Sequence, residues 1–138
     1  MKPQEIMKNL DAKITGSEYF TWGEALWMSQ SNAYALPTEV QVANIVRLAA
    51  AMDKVREHFK TPILVHSWLR TPAHNKLIGG ALKSAHLEGL AIDFTVSGQD
   101  VHKCREILVN DKVLWPYRGE LGVQWIHLDL KDGRWFWP

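Results

Sequence analysis

The chain has 138 residues, of which 46% are hydrophobic and 22% charged, as is typical of one soluble globular domain over residues 1–138. Lys and Arg number 16 against 15 Asp and Glu, so a net charge of +1 gives no basic surface for nucleic acid. The lone Cys104 excludes an intrachain disulfide. No stretch is apolar for the ~18 residues that a membrane span needs, and no signal peptide is recognisable. We therefore expect a monomer made in the cytoplasm, which would reach an outside substrate only by export or release.

Two short helices are predicted near the start of the chain. Apolar residues four apart over residues 6–14 indicate an amphipathic helix that ends at Gly16. Thr21 and Glu24 match a capping box, in which the side chain of each residue accepts a hydrogen bond from the backbone amide of the other. This pattern predicts a second helix that runs toward Ser29.

The longest predicted helix starts at a second capping box, at Thr38, and continues to about Phe59 with apolar residues at helical spacing. A brief, β-branched, apolar run over residues 62–67 then indicates a buried strand. That strand would deliver Ser67 and Arg70 to its end.

The rest of the sequence alternates between helical and extended patterns. It predicts, in order, a short helix between Thr71 and Gly79, a strand over residues 90–96, a helix capped by Asp100, a turn at residues 116–119, a strand over residues 121–130 and a hairpin turn at residues 132–133.

The stretch from Ser84 to Asp93 carries the chemistry of the chain. It places His86 and Asp93 seven residues apart, across a glycine turn and into a predicted strand. A hydrolytic zinc site needs about three ligands of N or O type and one position for water. A third ligand is expected from His127 or Asp129, because side chains two residues apart in a strand share a face. A lone histidine on a strand is more often a core residue. The prediction therefore depends on the combination of Ser84, His86, Gly89, Asp93, Trp125 and His127.

These residues resemble the zinc D-alanyl-D-alanine peptidases, whose fold is shared by hedgehog signalling domains. The family pattern Ser-x-His-x-x-Gly-x-Ala-x-Asp is met in full over residues 84–93, and Trp-x-His is met over residues 125–127. Residues 67–75 and 79–81 look like the family's Ser-Gly-Tyr-Arg-Ser-Pro-x-x-Asn segment and its Gly-Gly turn, and residues 20–26 are similar to the first helix of phage and prophage members. The resemblance implies an α+β fold in which a small antiparallel sheet, flanked by helices, carries a zinc site.

Carried over by position, the resemblance implies that His86, Asp93 and His127 hold one Zn²⁺ and leave a fourth position to water. It also implies that Arg70 binds a substrate carboxylate, because its planar guanidinium can donate two parallel hydrogen bonds. Ser84 is similar to a serine that assists in this role.

Three further residues are expected at the substrate groove because they flank the proposed site. They are Ser67, Trp68 and Trp125. The seven tryptophans of the chain could suggest a surface for stacking glycans, but Trp22, Trp27 and Trp115 are interpreted as core anchors.

The general base is where the sequence departs from the family pattern. Relatives often carry an acidic residue three or six positions before the last histidine, whereas this chain has Gln124 and Leu121 there. Glu120 is the first candidate, brought back to the site by a one-residue bulge in the strand. Asp129 is the second candidate, and it could instead orient a metal ligand.

The resulting prediction is a zinc peptidase that cuts a D-amino-acid-containing bond in the stem peptides of bacterial peptidoglycan. It would act as a carboxypeptidase or endopeptidase, as a phage or prophage lysin (endolysin). The alternative is a zinc-stabilised binding or structural module of a phage particle with a weak or silent site. A third reading, a 2-His-1-carboxylate iron oxygenase, is suggested by His127 and Asp129 but lacks the second histidine that such enzymes carry well downstream.

Overall fold

The computed structural model describes residues 1–111, 118–120 and 124–131, with the backbone alone for residues 118–120. The helices of this part are α1 (Pro3–Met7), α2 (Trp22–Leu26), α3 (Glu39–Phe59), α4 (Pro72–Leu77) and α5 (Val101–Asp111). The strands are β1 (Trp27–Met28), β2 (Ala33–Tyr34), β3 (Ile63–Ser67), β4 (Ala91–Val96), β5 (Arg118–Glu120) and β6 (Ile126–Asp129). Two 3₁₀ helices cover Ser29–Ser31 and Ala85–Glu88. The predicted α+β class is confirmed.

The strands form two small antiparallel sheets. One has the order β3-β4-β6-β5, and the other is the two-stranded ribbon of β1 and β2. Strand β4 lies inside the larger sheet and is buried along almost its whole length. A residue on β4 therefore has a neighbour on each side, which is how the sheet collects side chains from distant parts of the chain.

Helix α3 is the main helical support of the core. Its capping box is formed as predicted, since Thr38 Oγ1 accepts from the Gln41 amide and Gln41 Oε1 accepts from the Thr38 amide. Its buried face joins one hydrophobic cluster with the sheet and with the N-terminal segment. The largest fully buried members of that cluster include Phe20, Trp22, Ile45, Met52, Trp68, Phe94 and Ile92.

The N-terminal helix is shorter than predicted, because backbone groups of residues 10–14 form hydrogen bonds with residues 20–23 instead of continuing the helix. The Leu10 carbonyl accepts from the Gly23 amide at 2.8 Å, and the Ile14 amide donates to the Phe20 carbonyl at 2.8 Å. The apolar spacing over residues 6–14 thus reflects burial of Ile6 and Ile14 in the core rather than one helical face.

Two other predictions about elements are wrong in their details. Helix α2 ends at Leu26 instead of near Ser29, because the chain turns there into the β1–β2 ribbon. Strand β3 is at the edge of the sheet, and Leu64 on it is 49% exposed, so it is not the buried strand expected.

The last two strands of the larger sheet also differ from the prediction. Arg118 and Gly119, expected in a turn, lie in β5, which pairs with β6 as a separate antiparallel strand. Of the strand predicted over residues 121–130, residues 126–129 form β6, residues 124–125 lie outside it, and residues 121–123 are not among the described residues. The hairpin turn predicted at residues 132–133 and Trp115 also lie outside the described residues. In the described part of the chain, no helix is both long and apolar enough to cross a membrane.

Candidate metal centre

The register of the larger sheet aligns four residues in one row across its strands. Ser67 of β3 pairs with Asp93 of β4, Asp93 pairs with His127 of β6, and His127 pairs with Glu120 of β5. A shift in register between Val65 and Ser67 in β3 brings Ser67 into this row. Directly paired residues are near neighbours, so the sheet itself brings Asp93 to His127.

His86 reaches the same row from the 3₁₀ helix Ala85–Glu88. Ser84 caps this helix, because its Oγ accepts from the His86 amide at 3.2 Å. The segment after β3 holds the histidine twice: His86 Nδ1 donates to the Trp68 carbonyl at 2.7 Å, and the Arg70 amide donates to the His86 carbonyl at 3.0 Å. These contacts fix both the backbone and the ring of His86.

Helix α3 supports the other side of this 3₁₀ helix. Gln41 Nε2 donates to the Leu87 carbonyl at 2.9 Å. The helix ends at Gly89, whose φ of 74° lies in the left-handed region. A Cβ at Gly89 would lie 3.1 Å from Ile45 Cγ1, so glycine also allows the turn to pack closely on α3.

The nitrogen of His86 that faces the row lacks a hydrogen bond. Because Nδ1 carries the proton that it donates to Trp68, the neutral imidazole presents a lone pair at Nε2. This Nε2 is buried and has no hydrogen-bond partner among the described residues, although it lies 3.2 Å from Asp93 Oδ2. Two lone pairs facing each other are an arrangement that a cation between them would stabilise.

The donor set of His86, Asp93 and His127 therefore fits a metal ion. One ligand atom from each residue lies within 4.8 Å of the others. Two imidazoles and one carboxylate form the ligand type of catalytic zinc sites, and they leave room for a further ligand.

Asp93 is held as an anion by its surroundings. Burial alone would raise the pKa of Asp93, but hydrogen bonding and charge interaction, the hydrogen bond with His127 first, outweigh it and hold the pKa well below its usual range. Arg70 Nη2 also donates to Asp93 Oδ2 at 3.2 Å. An ionised carboxylate is the form that binds metal.

His127 lies between two carboxylates. Its Nδ1 is 2.7 Å from Asp93 Oδ1, and its Nε2 is 3.0 Å from Asp129 Oδ2. Burial alone would lower the pKa of His127, but hydrogen bonds to Asp129 and Asp93 raise it to about 9. The ring thus separates Asp129, which is 3% exposed, from the Asp93 side of the site.

Arg70 is fixed beside this cluster by two further partners. Its Nε donates to Ser67 Oγ at 3.1 Å, and its Nη1 donates to Asn75 Oδ1 at 3.3 Å. Asn75 is itself held by its Nδ2, which donates to the Ala81 carbonyl at 2.9 Å. A Cβ at Gly80 would lie 2.8 Å from Asn75 Cγ, so the Gly-Gly turn leaves space for the group that orients Arg70.

A cleft of about 280 Å³ opens over these residues. It is lined by Gln30, His66, Ser67, Arg70, Ile78, Gly80, Asp93 and Trp125. The cleft thus brings the guanidinium of Arg70, the carboxylate of Asp93 and the exposed indole of Trp125 to the edge of the candidate metal centre.

The structure gives different positions to the other residues predicted for the site. Trp125 lies at the rim of the cleft, as expected, and Ser67 lines it. Trp68 is wrong as a groove residue, because its side chain is fully buried and donates from Nε1 to the Gly89 carbonyl. Ser84 is seen as the cap of the His86 helix. The side chain of Glu120 lies outside the described residues.

Sequence reasoning missed two residues near the cleft, Gln30 and Asn75. Gln30 lines it from the 3₁₀ helix Ser29–Ser31, and the Ser31 hydroxyl hydrogen-bonds Nδ1 of the buried His74, which ties this helix to α4. No local pattern marks Gln30. Asn75 could have been found, because it belongs to the motif over residues 67–75.

Comparison with known families adds one finding. A family model described as Peptidase M15 matches residues 19–129. This range includes every residue of the candidate metal centre and of the cleft above it. A comparison with curated proteins gave no match.

Proposed function

Since the chain belongs to the peptidase M15 family, whose members are zinc-dependent metallopeptidases, we propose that it hydrolyses a D-amino-acid-containing bond in peptidoglycan stem peptides. The observation that carries this proposal is the buried Nε2 of His86, which faces Asp93, has no hydrogen-bond partner in the part of the chain that the structure describes, and lies next to His127. His86, Asp93 and His127 would hold the zinc. When bound there, zinc supplies a Lewis acid that polarises the scissile carbonyl and lowers the pKa of water.

Arg70 is proposed to anchor a carboxylate of the substrate. Its guanidinium lines the cleft, and contacts with Ser67 and Asn75 fix its plane in advance. A fixed fork of donors favours a planar carboxylate. The carbonyl next to that carboxylate would then lie near the three ligand residues, which is the arrangement needed to cut close to the end of a stem peptide.

Glu120 is proposed as the general base that takes a proton from the attacking water and passes it to the leaving amine. The support is the register of the sheet, which pairs the backbone of Glu120 directly with His127. A separate strand thus replaces the bulge expected from the sequence. Asp129 is proposed instead to orient His127, because the imidazole ring lies between it and Asp93.

A role as a phage or prophage lysin fits this chemistry. The protein would be made in the cytoplasm and reach the cell wall by release or export, and it would work as a monomer with one zinc per chain.

The test is hydrolysis of defined peptides by the protein loaded with one equivalent of zinc. A stem pentapeptide ending in D-Ala-D-Ala and a cross-linked peptide dimer are incubated separately with the protein, and the products are identified from their masses by mass spectrometry. Loss of D-alanine from the first identifies a carboxypeptidase, and conversion of the dimer to monomers identifies an endopeptidase.

The variant Glu120→Gln tests the base. We expect its rate to fall at least about 100-fold while zinc content stays at one per chain, as for loss of a general base. Glu106→Gln, on the exposed face of α5, is the matched control and should keep full activity. If zinc-loaded protein cleaves neither peptide, the chain is instead a zinc-stabilised binding or structural module, and a peptidase role is wrong.

A further inference from the structure

Two aromatic rings lie at the surface of the β1–β2 ribbon. Trp27 and Tyr34 are paired across the ribbon and are 37% and 44% exposed. Their ring centroids are 4.9 Å apart, with the planes inclined by 57°. The interpretation of Trp27 as a core anchor is therefore wrong, and the ribbon presents apolar ring surface to solvent.

These rings line a second cleft, of about 350 Å³, which we name the aromatic cleft. The carboxylates of Asp11 and Glu24 also line it. The capping box of α2 uses Glu24 Oε1, whereas Oε2 has no hydrogen-bond partner in the described part of the chain. Asp11 is exposed. The cleft thus combines flat apolar surface with hydrogen-bond acceptors.

That combination matches the chemistry of a sugar ring. A hexose has a face of C–H groups that packs on an aromatic ring, and its hydroxyl groups donate hydrogen bonds to carboxylates. An anionic ligand would be repelled by Asp11 and Glu24, so the free carboxylates of a stem peptide do not suit this cleft.

The aromatic cleft and the cleft over the candidate metal centre adjoin at one shared residue. His66 lines both of them, from the point in β3 where the register shifts. Val65, which precedes it, lines the aromatic cleft, and Ser67, which follows it, lines the metal-centre cleft. One residue therefore separates the two sites along the strand.

We propose that the aromatic cleft binds an N-acetylhexosamine ring of the glycan strand to which the stem peptide is attached. The inference rests on the proposed function, because the stem peptide must occupy the neighbouring cleft. The link between sugar and peptide is a neutral amide, so the ligand reaches Asp11 and Glu24 without a charge of its own. The enzyme would then prefer peptides that still carry their sugars.

Binding is tested by NMR with a tetramer of N-acetylglucosamine as the probe, added to the zinc-loaded, ¹⁵N-labelled protein. The indole N–H signal of Trp27 is assigned from its loss in Trp27→Phe. We expect this signal to shift on titration, while the signal of the buried Trp68 stays in place. If the Trp27 signal does not move at millimolar sugar, the proposal is wrong. A shift with 1,5-diaminopentane but not with the sugar would also overturn it, in favour of a site for a diamino acid.

The kinetic test compares a disaccharide-peptide with the same peptide freed of its sugars. We expect kcat/KM to be roughly 3- to 10-fold higher for the disaccharide-peptide, which is the effect of one aromatic stacking contact. Trp27→Ala should abolish this preference and Trp27→Tyr should keep most of it, at unchanged activity on the free peptide. Leu36→Ala, at an exposed apolar residue outside the lining of both clefts, is the control.

The two proposals fail in different ways. A protein that cleaves the free peptide with no preference for the disaccharide-peptide keeps the proposed function and refutes the sugar site. A protein that cleaves neither peptide refutes the proposed function, and the NMR titration then decides the sugar site by itself.

Discussion

The two nitrogens of His127 face two carboxylates with different environments. Asp93 lies on the side of His86, whereas Asp129 lies on the opposite side of the ring and also accepts from the Lys131 amide at 3.1 Å. A carboxylate in the position of Asp129 fixes the tautomer of a metal-ligating histidine and raises its basicity. Substitution of Asp129 should therefore have different effects if this residue is a general base and if it orients His127.

For Asp129→Asn we predict a roughly 10-fold or greater loss of zinc affinity, because an amide still accepts from His127 but carries no charge. The affinity is measured by competition with a chelator of known zinc affinity. The rate at saturating zinc should stay within a few-fold of the parent, and full rescue by excess zinc distinguishes this role from proton transfer. A loss of rate that excess zinc does not restore would show Asp129 to be the base.

At the scale of elements, the features that the sequence predicted correctly are those that depend on interactions between neighbouring residues. The Thr21 and Thr38 capping boxes form as expected, because each joins side chains and amides within one helical turn. The helix from Thr71 to Gly79 and the strand over residues 90–96 were also correct to within a few residues. Their signals lie within the elements themselves.

What the sequence did not predict depends on contacts between distant segments. The first helix ends early because the Trp22 and Gly23 amides donate hydrogen bonds to the Ala12 and Leu10 carbonyls. The position of Glu120 depends on pairing between β5 and β6. The three proposed ligand residues could be identified through a motif, but the burial of Trp68 and the place of Gln30 could not. Both follow from how α2, β1 and the following 3₁₀ helix pack against the segment after β3.

The link between α3 and the His86 helix can be tested at Gln41, which serves both elements. Its Oε1 completes the capping box of α3, and its Nε2 supports the Leu87 carbonyl. Gln41→Glu keeps an acceptor for the cap, and its charge suits a helix N-terminus. It also replaces the donor with an oxygen that faces the carbonyl, which leaves that carbonyl without its partner.

We therefore predict that Gln41→Glu weakens zinc binding severalfold while far-UV circular dichroism shows the helix content unchanged. Gln99→Glu, outside the metal centre, is the matched control and should bind zinc like the parent protein. Equal zinc affinities for Gln41→Glu and the parent would mean that α3 does not position the His86 helix.

At the scale of the whole molecule, the candidate metal centre joins segments that are far apart in the chain. His86 comes from a 3₁₀ helix packed on α3, Asp93 from β4 inside the sheet and His127 from β6. A ligand that binds the folded state and not the unfolded chain stabilises the fold by about 4 kcal/mol when its free concentration is 1,000 times its Kd. Zinc should therefore stabilise all three segments together.

We predict that chelation of zinc lowers the melting temperature of the protein by roughly 10 °C or more, measured by scanning calorimetry with and without one equivalent of added metal. Asp93→Asn is the control, because it removes the anionic ligand while keeping the size of the side chain, so zinc should change its melting temperature little. An equal zinc effect in both proteins would place the metal elsewhere. No effect in the parent would show that His86, Asp93 and His127 do not hold zinc.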